Sequence, residues 1–140
     1  MEKTKIGLPV VLASAMVFLL CLFGGYTVGI LVFAYVMLCE KNLTMRVAAT
    51  TAILLALSYS AVCMVIGFVP NIAQLFNFAD NYYFYQIYNS IIKTANIVDS
   101  ILVLAKNALY LVLAAMCLMG KPLELPFIKK FAAANQETAE

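Results

Sequence analysis

The feature that most constrains this chain is an apolar run from Leu8 to Leu38 that contains no charged residue. A run of 31 residues is longer than the roughly 20 residues that one transmembrane helix needs. Gly24-Gly25 interrupts it near the middle, and glycine adopts the backbone conformations of a tight reversal more readily than other residues. The run can therefore be one long membrane segment or two segments joined as a hairpin.

Composition indicates that the solvent around this chain is lipid. Hydrophobic residues make up 65% of the 140 residues, against roughly 45–50% in soluble domains. Charged residues make up 11%, against about 25% in soluble domains. The net charge of +2 is small and dispersed, which argues against a nucleic-acid partner. We expect a single membrane domain over residues 1–140.

Two further apolar runs are long enough to span a bilayer, over residues 47–69 and 96–119. Pro70 is expected to end the first of them, and Gly120 the second. Between the two runs, apolar residues recur at helical spacing from Ile72 to Ala79. This pattern predicts a short amphipathic helix at the membrane interface, over about residues 71–80.

Helix length and charge placement favour two segments in the first run. A single helix of 31 residues would be about 46 Å long, and it would have to tilt by about 50° to fit the hydrocarbon core. A hairpin at Gly24-Gly25 instead places seven of the nine Lys and Arg residues on one side of the membrane. Cytoplasmic flanks carry such an excess. The seven are Lys3, Lys5, Lys41, Arg46, Lys121, Lys129 and Lys130.

The predicted fold class is therefore an all-α, polytopic helical bundle in a membrane. Its four membrane segments cover about residues 5–23, 26–40, 47–69 and 96–119, with the interfacial helix at 71–80 and a cytoplasmic tail at 120–140. Both termini are expected in the cytoplasm, and the membrane is expected to be the bacterial cytoplasmic membrane.

Small residues predict where these helices pack closely. Gly25 and Gly29 have the four-residue spacing of a helix-packing motif. Gly24 and Gly25 together supply the hairpin turn. A second ridge of small residues recurs every four positions along the 47–69 helix: Ala48, Ala52, Ala56 and Ser60.

Three features of the chain together resemble a known family. They are the glycine-broken first run, the stretch "EKNLTMRVAATTAILLAL" at residues 40–57, and "MGKPLELPFIKKF" at residues 119–131. The chain is similar in these to the small bacterial Tic-twenty-like membrane proteins, which are distantly related to a component of the chloroplast inner-envelope import machinery. The resemblance implies a four-helix arrangement, and most bacterial members of the family have no assigned function.

The last apolar run carries a polar stripe, which is the candidate functional site. Lys106 lies near the middle of that run, and ionisable groups inside a bilayer are costly and often functional. Asp99 lies seven residues earlier on the same helix face. The full stripe consists of Asn96, Asp99, Ser100, Lys106, Asn107 and Tyr110.

Three interpretations of the stripe are open. It can line a water-filled path, in which Lys106 favours anions or changes its protonation. It can pack against hydroxyl groups of the preceding helix and so set the helix register; the candidates are Thr50, Thr51, Ser58 and Ser60. Alternatively, Lys106 can extend its side chain to the outer headgroups. We favour packing against the preceding helix, or extension of Lys106 to the headgroups, over a water-filled path. The reason is that pumps use a relay of several ionisable groups, whereas this stripe has one lysine and one aspartate.

No pattern of residues predicts an enzyme, a metal or a cofactor. The chain has no histidine, and its four cysteines are far apart in sequence, so a zinc site is not expected. We expect a non-enzymatic structural, assembly or interaction protein, acting as a homo-oligomer or with other membrane proteins in the lipid bilayer. The alternative is an oligomeric channel or small-solute or ion transporter lined by the last helix.

Overall fold

The computed structural model describes residues 3, 4, 6–76, 82–121 and 125–138. About 89% of the described residues are helical and none of them lies in a strand, so the predicted all-α class is confirmed. The helices are α1 (Val10–Cys39), α2 (Leu43–Phe76), α3 (Tyr82–Leu118) and α4 (Pro126–Thr138).

Three of these helices are long and apolar enough to cross a membrane: Val10–Cys39, Leu43–Leu75 and Tyr82–Leu118. Mean hydropathy in their most apolar windows lies between 2.1 and 2.3. An isolated helix with such a surface would expose a large apolar area to water, which is unfavourable. The predicted membrane helical bundle is consistent with this surface.

Helix α1 is interrupted at Gly25, whose φ of 67° and ψ of −158° are not helical. A Cβ atom placed on Gly29 would lie 3.4 Å from the Sγ atom of Cys21. Eight residues of straight helix would separate those positions by about 12 Å. The chain therefore folds back at Gly25, and the two halves of α1 lie against each other.

Helix α1 begins at Val10, later than the predicted start at residue 5. The preceding residues form a turn, in which the Gly7 amide donates to the Thr4 carbonyl at 2.9 Å. Gly7 has a φ of 87°, a conformation that glycine adopts without steric cost. Pro9 follows as the residue before the helix.

Pro70 does not end α2, contrary to the prediction. The helix continues through it to Phe76. One proline removes one main-chain hydrogen bond, and membrane helices tolerate this loss. Residues 71–76 of the predicted interfacial helix are thus part of α2, and residues 77–80 lie outside the described residues.

The last predicted segment ends where expected, since α3 ends at Leu118 just before Gly120, whose φ is 72°, but its start differs from expectation. Helix α3 begins at Tyr82, so the tyrosine-rich stretch before residue 96 belongs to the same helix.

The tail at 120–140 contains α4, which begins at Pro126. Proline is favoured at the first position of a helix, where its missing amide proton costs nothing.

The chain divides into two compact units. The first comprises residues 1–56 and 107–140, and it contains the hydrophobic core. This core is formed by α1, the first turns of α2 and the last turns of α3; its most buried members include Ala15, Phe18, Val36, Ala49, Ala52 and Tyr110. A smaller cluster packs α4 on the start of α2, through Ile128, Ala132 and Val47.

The second unit comprises residues 57–106 and consists of the later part of α2 and the earlier part of α3. None of its described residues is fully buried. Its large exposed apolar side chains include Met64 (68%), Val65 (67%) and Leu104 (72%). This unit therefore has helix-to-helix contacts but no enclosed core.

Candidate functional site

Tyr110, the last residue of the polar stripe, is a buried packing residue. Its hydroxyl donates a hydrogen bond of 2.9 Å to the main-chain carbonyl of Ala52, and its side chain is only 2% exposed. The hydroxyl therefore joins the end of α3 to α2 inside the core of the first unit. Buried tyrosines commonly place the ring in apolar surroundings and satisfy the hydroxyl in this way.

Lys106 and Asp99 both contact α2 within the second unit. The Lys106 Nζ atom lies 4.6 Å from the centroid of the Tyr59 ring, within the range of a cation–π interaction. The Cys63 thiol points at the Asp99 carboxylate, with an Sγ to Oδ1 distance of 3.5 Å. Tyr59 on α2 pairs with Lys106, and Cys63, four residues further along α2, pairs with Asp99, seven residues earlier in α3. The two helices therefore run antiparallel in this unit.

The remaining stripe residues lie on a neighbouring edge of α3. Asn96, Ser100 and Asn107 are four and seven residues apart along α3, and they lie about 80–120° around the helix from Lys106. Asn96 and Ser100 are exposed and Asn107 is half-buried. The Ser100 hydroxyl donates to the Asn96 carbonyl at 2.9 Å. Neither asparagine carboxamide has a hydrogen-bond partner among the described residues.

The structure therefore divides the predicted stripe into two groups. Asp99, Lys106 and Tyr110 contact α2, whereas the described residues show no hydrogen bond to α2 from the side chains of Asn96, Ser100 and Asn107. We call this second group the asparagine edge. It offers amide donors and acceptors on a predominantly apolar helix.

The threonine hydroxyls considered as partners for the stripe bond within their own helix. The Thr50 hydroxyl donates to the Arg46 carbonyl at 2.7 Å, and the Thr51 hydroxyl donates to the Val47 carbonyl at 2.8 Å. This return bond to the residue four positions earlier is common for threonine in helices. It satisfies both buried hydroxyls without a stripe residue.

The predicted small-residue positions vary in burial. Gly29 is buried, and a Cβ atom on it would lie 3.9 Å from the Ile53 Cδ1 atom. A Cβ atom on Gly24 would overlap the Val28 side chain, so only glycine fits next to the break at Gly25. Along α2, burial declines with residue number: Ala48 and Ala52 are buried, Ala56 is half-buried and Ser60 is exposed.

Sequence reasoning missed a buried ionic site at the start of α2. Arg46 is 3% exposed and Glu40 is 2% exposed. The Arg46 Nε atom donates to the Glu40 carbonyl at 2.8 Å, and its Nη2 atom donates to the Met37 carbonyl at 3.1 Å. The last carbonyls of a helix have no partner within it, so Arg46 caps the C-terminal end of α1. Its Nη1 atom has no hydrogen-bond partner within the described ranges.

A signal for this site was present in the sequence. Cys39 ends α1 and Leu43 begins α2, so only three residues connect the two helices. A connection that short brings the last carbonyls of one helix close to the first turn of the next. Arginine with its five donors is the residue type that best satisfies several carbonyls at once.

The described residues include no group of three or more His, Cys, Asp or Glu side chains that could hold a metal ion. The four cysteines are free thiols. No match to this chain is found among protein-family models, curated proteins or solved structures.

Proposed function

We propose that the chain is a multi-pass protein of a bacterial cytoplasmic membrane that works without catalysis. Its role in this proposal is structural: it assembles with other membrane proteins or with further copies of itself. The first two of its four membrane segments form a hairpin at Gly24-Gly25, with both termini in the cytoplasm. The break at Gly25, the distribution of Lys and Arg and the resemblance to Tic-twenty-like proteins support this arrangement.

The lengths of α2 and α3 support an interfacial extension on the outer side. Helices of 34 and 37 residues are about 51 and 55 Å long, while the hydrocarbon core is about 30 Å thick. We place their cytoplasmic ends at Leu43 and Leu118, so about 20 residues of each helix fill the core and the surplus consists of about residues 63–76 and 82–98. Tyr82, Tyr83 and Tyr85 are more than half exposed there. Tyrosines are enriched at membrane interfaces, so this extension takes the place of the predicted separate interfacial helix.

The observation that carries the assembly proposal is the asparagine edge. Asn107 lies eleven residues before the end of α3, about 16 Å along the helix and therefore well inside the proposed membrane. Carboxamides in that position hydrogen-bond across helix interfaces. Since the Asn107 carboxamide has no partner in the described part of the chain and the hydrocarbon core offers none, another helix is its most favourable partner.

Photo-crosslinking in native membranes tests this proposal. A photoreactive amino acid at Ser100 is on the asparagine edge, and one at Ile101 is about 100° around the helix on a side chain that is 61% exposed. We expect a protein adduct from position 100, lipid adducts from position 101, and loss of the protein adduct in Asn107→Leu. An added mass that is a multiple of 15.4 kDa would identify another copy of the chain.

Two results of the crosslinking experiment would contradict the assembly proposal. Lipid adducts alone from both positions would mean that the asparagine edge faces lipid. A protein adduct of equal yield in Asn107→Leu would mean that the carboxamide does not hold the partner. A Leu109→Ala variant serves as the matched control, because Leu109 is 49% exposed on the same turn of α3.

The asparagine edge also supports a second proposal, an oligomeric channel or small transporter lined by α3. Three polar side chains on one helix edge can line a water-filled path when several copies surround it. Ion or solute flux into liposomes that disappears with Lys106→Met supports this proposal. Equal permeability of liposomes with and without the protein contradicts it.

A further inference from the structure

The two halves of α1 enclose an apolar groove of about 290 Å³ on the surface of the first unit. Leu20 from the first half and Leu31 and Tyr35 from the second half form its mouth, and they are 44%, 65% and 41% exposed. Its volume is close to the lower end of the range for ligand pockets, about 300 Å³. The lining is almost entirely apolar and the groove is open to its surroundings, as an acyl-chain site requires.

A polar cavity of about 740 Å³ adjoins the groove at one end. Thr4 and Glu40 line both cavities, so the two cavities lie side by side. Lys3 and Lys41 also line the polar cavity, and both are exposed. Among the described residues that line this cavity, the charged groups are the ammonium groups of Lys3 and Lys41 and the carboxylate of Glu40. An ammonium group at this position attracts a phosphate.

We infer that these adjacent cavities bind one anionic phospholipid. One acyl chain lies in the groove between the halves of α1, and the phosphate lies in the polar cavity near Lys3 and Lys41. The two cavities match the two parts of a phospholipid: the apolar groove suits an acyl chain, and the polar cavity with its lysines lies at the end where the phosphate would be. Binding depends on the fold-back at Gly25, because both halves of α1 line the groove. It does not depend on the proposed assembly through α3.

Native mass spectrometry of the purified chain in detergent tests the inference. The probes are a palmitoyl-oleoyl phosphatidylglycerol, the corresponding phosphatidylcholine and inorganic phosphate. We expect one phosphatidylglycerol per chain, bound about tenfold more tightly than phosphatidylcholine, since a charge-assisted contact typically has this effect. Inorganic phosphate at millimolar concentration is expected not to displace it.

Paired variants test the two cavities separately. Leu31→Trp fills the mouth of the groove, and Ile30→Trp is its matched control, because Ile30 is 44% exposed and does not line the groove. The double variant Lys3→Gln/Lys41→Gln removes the cationic lining, and Lys121→Gln/Lys130→Gln is the charge-matched control. We expect each test variant to weaken phosphatidylglycerol binding about tenfold, and each control to change it less than twofold.

Several results would overturn the inference. Equal phosphatidylglycerol binding by Leu31→Trp and Ile30→Trp would mean that the groove holds no acyl chain. Equal binding of the two lipids, unaffected by the lysine variants, would mean that the polar cavity does not select a headgroup with net negative charge. Full displacement by inorganic phosphate would identify a site for free phosphate instead. A second groove variant, Leu20→Trp, keeps the test valid if Leu31→Trp loses its helical circular dichroism.

Discussion

The hydroxyl of Tyr110 donates a hydrogen bond of 2.9 Å to the carbonyl of Ala52, across 58 positions of sequence. This bond joins α3 to the small-residue ridge of α2. It places a polar member of the stripe in the core, where the side chain is 2% exposed. The contact supports the interpretation of the stripe as a packing surface.

Replacement of Tyr110 by phenylalanine removes this bond and keeps the ring. We expect Tyr110→Phe to lower the free energy of unfolding by about 1 kcal/mol, the typical effect of one interhelical hydrogen bond. Unfolding by dodecyl sulfate in mixed micelles measures the change. Tyr35→Phe is the matched control, because that ring is 41% exposed, and its stability should equal that of the unsubstituted chain. Equal stability of both variants would contradict the packing role.

Gly25 adopts a backbone conformation that is essentially restricted to glycine, with a φ of 67° and a ψ of −158°. We expect Gly25→Ala to lower the free energy of unfolding by about 1–3 kcal/mol. Gly67→Ala is the control, because Gly67 lies within α2 and a Cβ atom there would have no neighbour within 4 Å. That substitution should be neutral or stabilise the chain by up to about 1 kcal/mol. The same unfolding measurement distinguishes the two, and a neutral Gly25→Ala would contradict the fold-back.

Arg46 caps α1 through two hydrogen bonds to main-chain carbonyls. We expect Arg46→Ala to lower the free energy of unfolding by about 2–3 kcal/mol, since both bonds have a charged donor. Arg46→Lys should recover only part of this loss, because an ammonium group is a compact charge without the planar fork of guanidinium. Thermal unfolding in detergent provides the comparison, with Lys121→Ala as a control at an exposed position. Full recovery by lysine would mean that charge alone is sufficient.

The proposed hairpin predicts the sidedness of the loop between α1 and α2. A reporter enzyme fused after Asn42 and one fused at the C-terminus should both be active in the cytoplasm, because a fold-back at Gly25 returns the chain to its starting side. Activity measured in intact cells with a pair of compartment-specific reporters tests this. Opposite locations for the two fusions would mean that α1 crosses the membrane once.

Periodicity and composition predicted the helices but not the pairs between them. The break at Gly25 was predictable, because glycine is the residue type that permits such a conformation. The Lys106–Tyr59 and Asp99–Cys63 contacts were not, because they depend on the register between α2 and α3. All four residues lie inside the predicted segments, but periodicity along one helix does not specify which positions of the next helix it faces.

Arg46 shows a second limit of the sequence. A basic residue beside a short connection is typical of a solvated cytoplasmic flank. The charge count therefore treated Arg46 as a solvated residue on the cytoplasmic side. The structure instead buries it to 3% exposure, because the last carbonyls of α1 require donors. The three-residue connection between α1 and α2 was the available signal for this contact, and the charge count did not use it.

The most direct test of the account is the access of water to Lys106 in sealed membrane vesicles. The four native cysteines are replaced, Lys106→Cys is introduced, and a membrane-impermeant thiol reagent is added; Leu109→Cys is the control within α3 and Lys93→Cys the control nearer its outer end. We expect position 106 to be protected, because Lys106 packs on the Tyr59 ring of α2. Position 109 should also be protected, and position 93 should be labelled. Rapid labelling at position 106, with position 109 protected, would contradict the packing account and favour a water-filled path along α3.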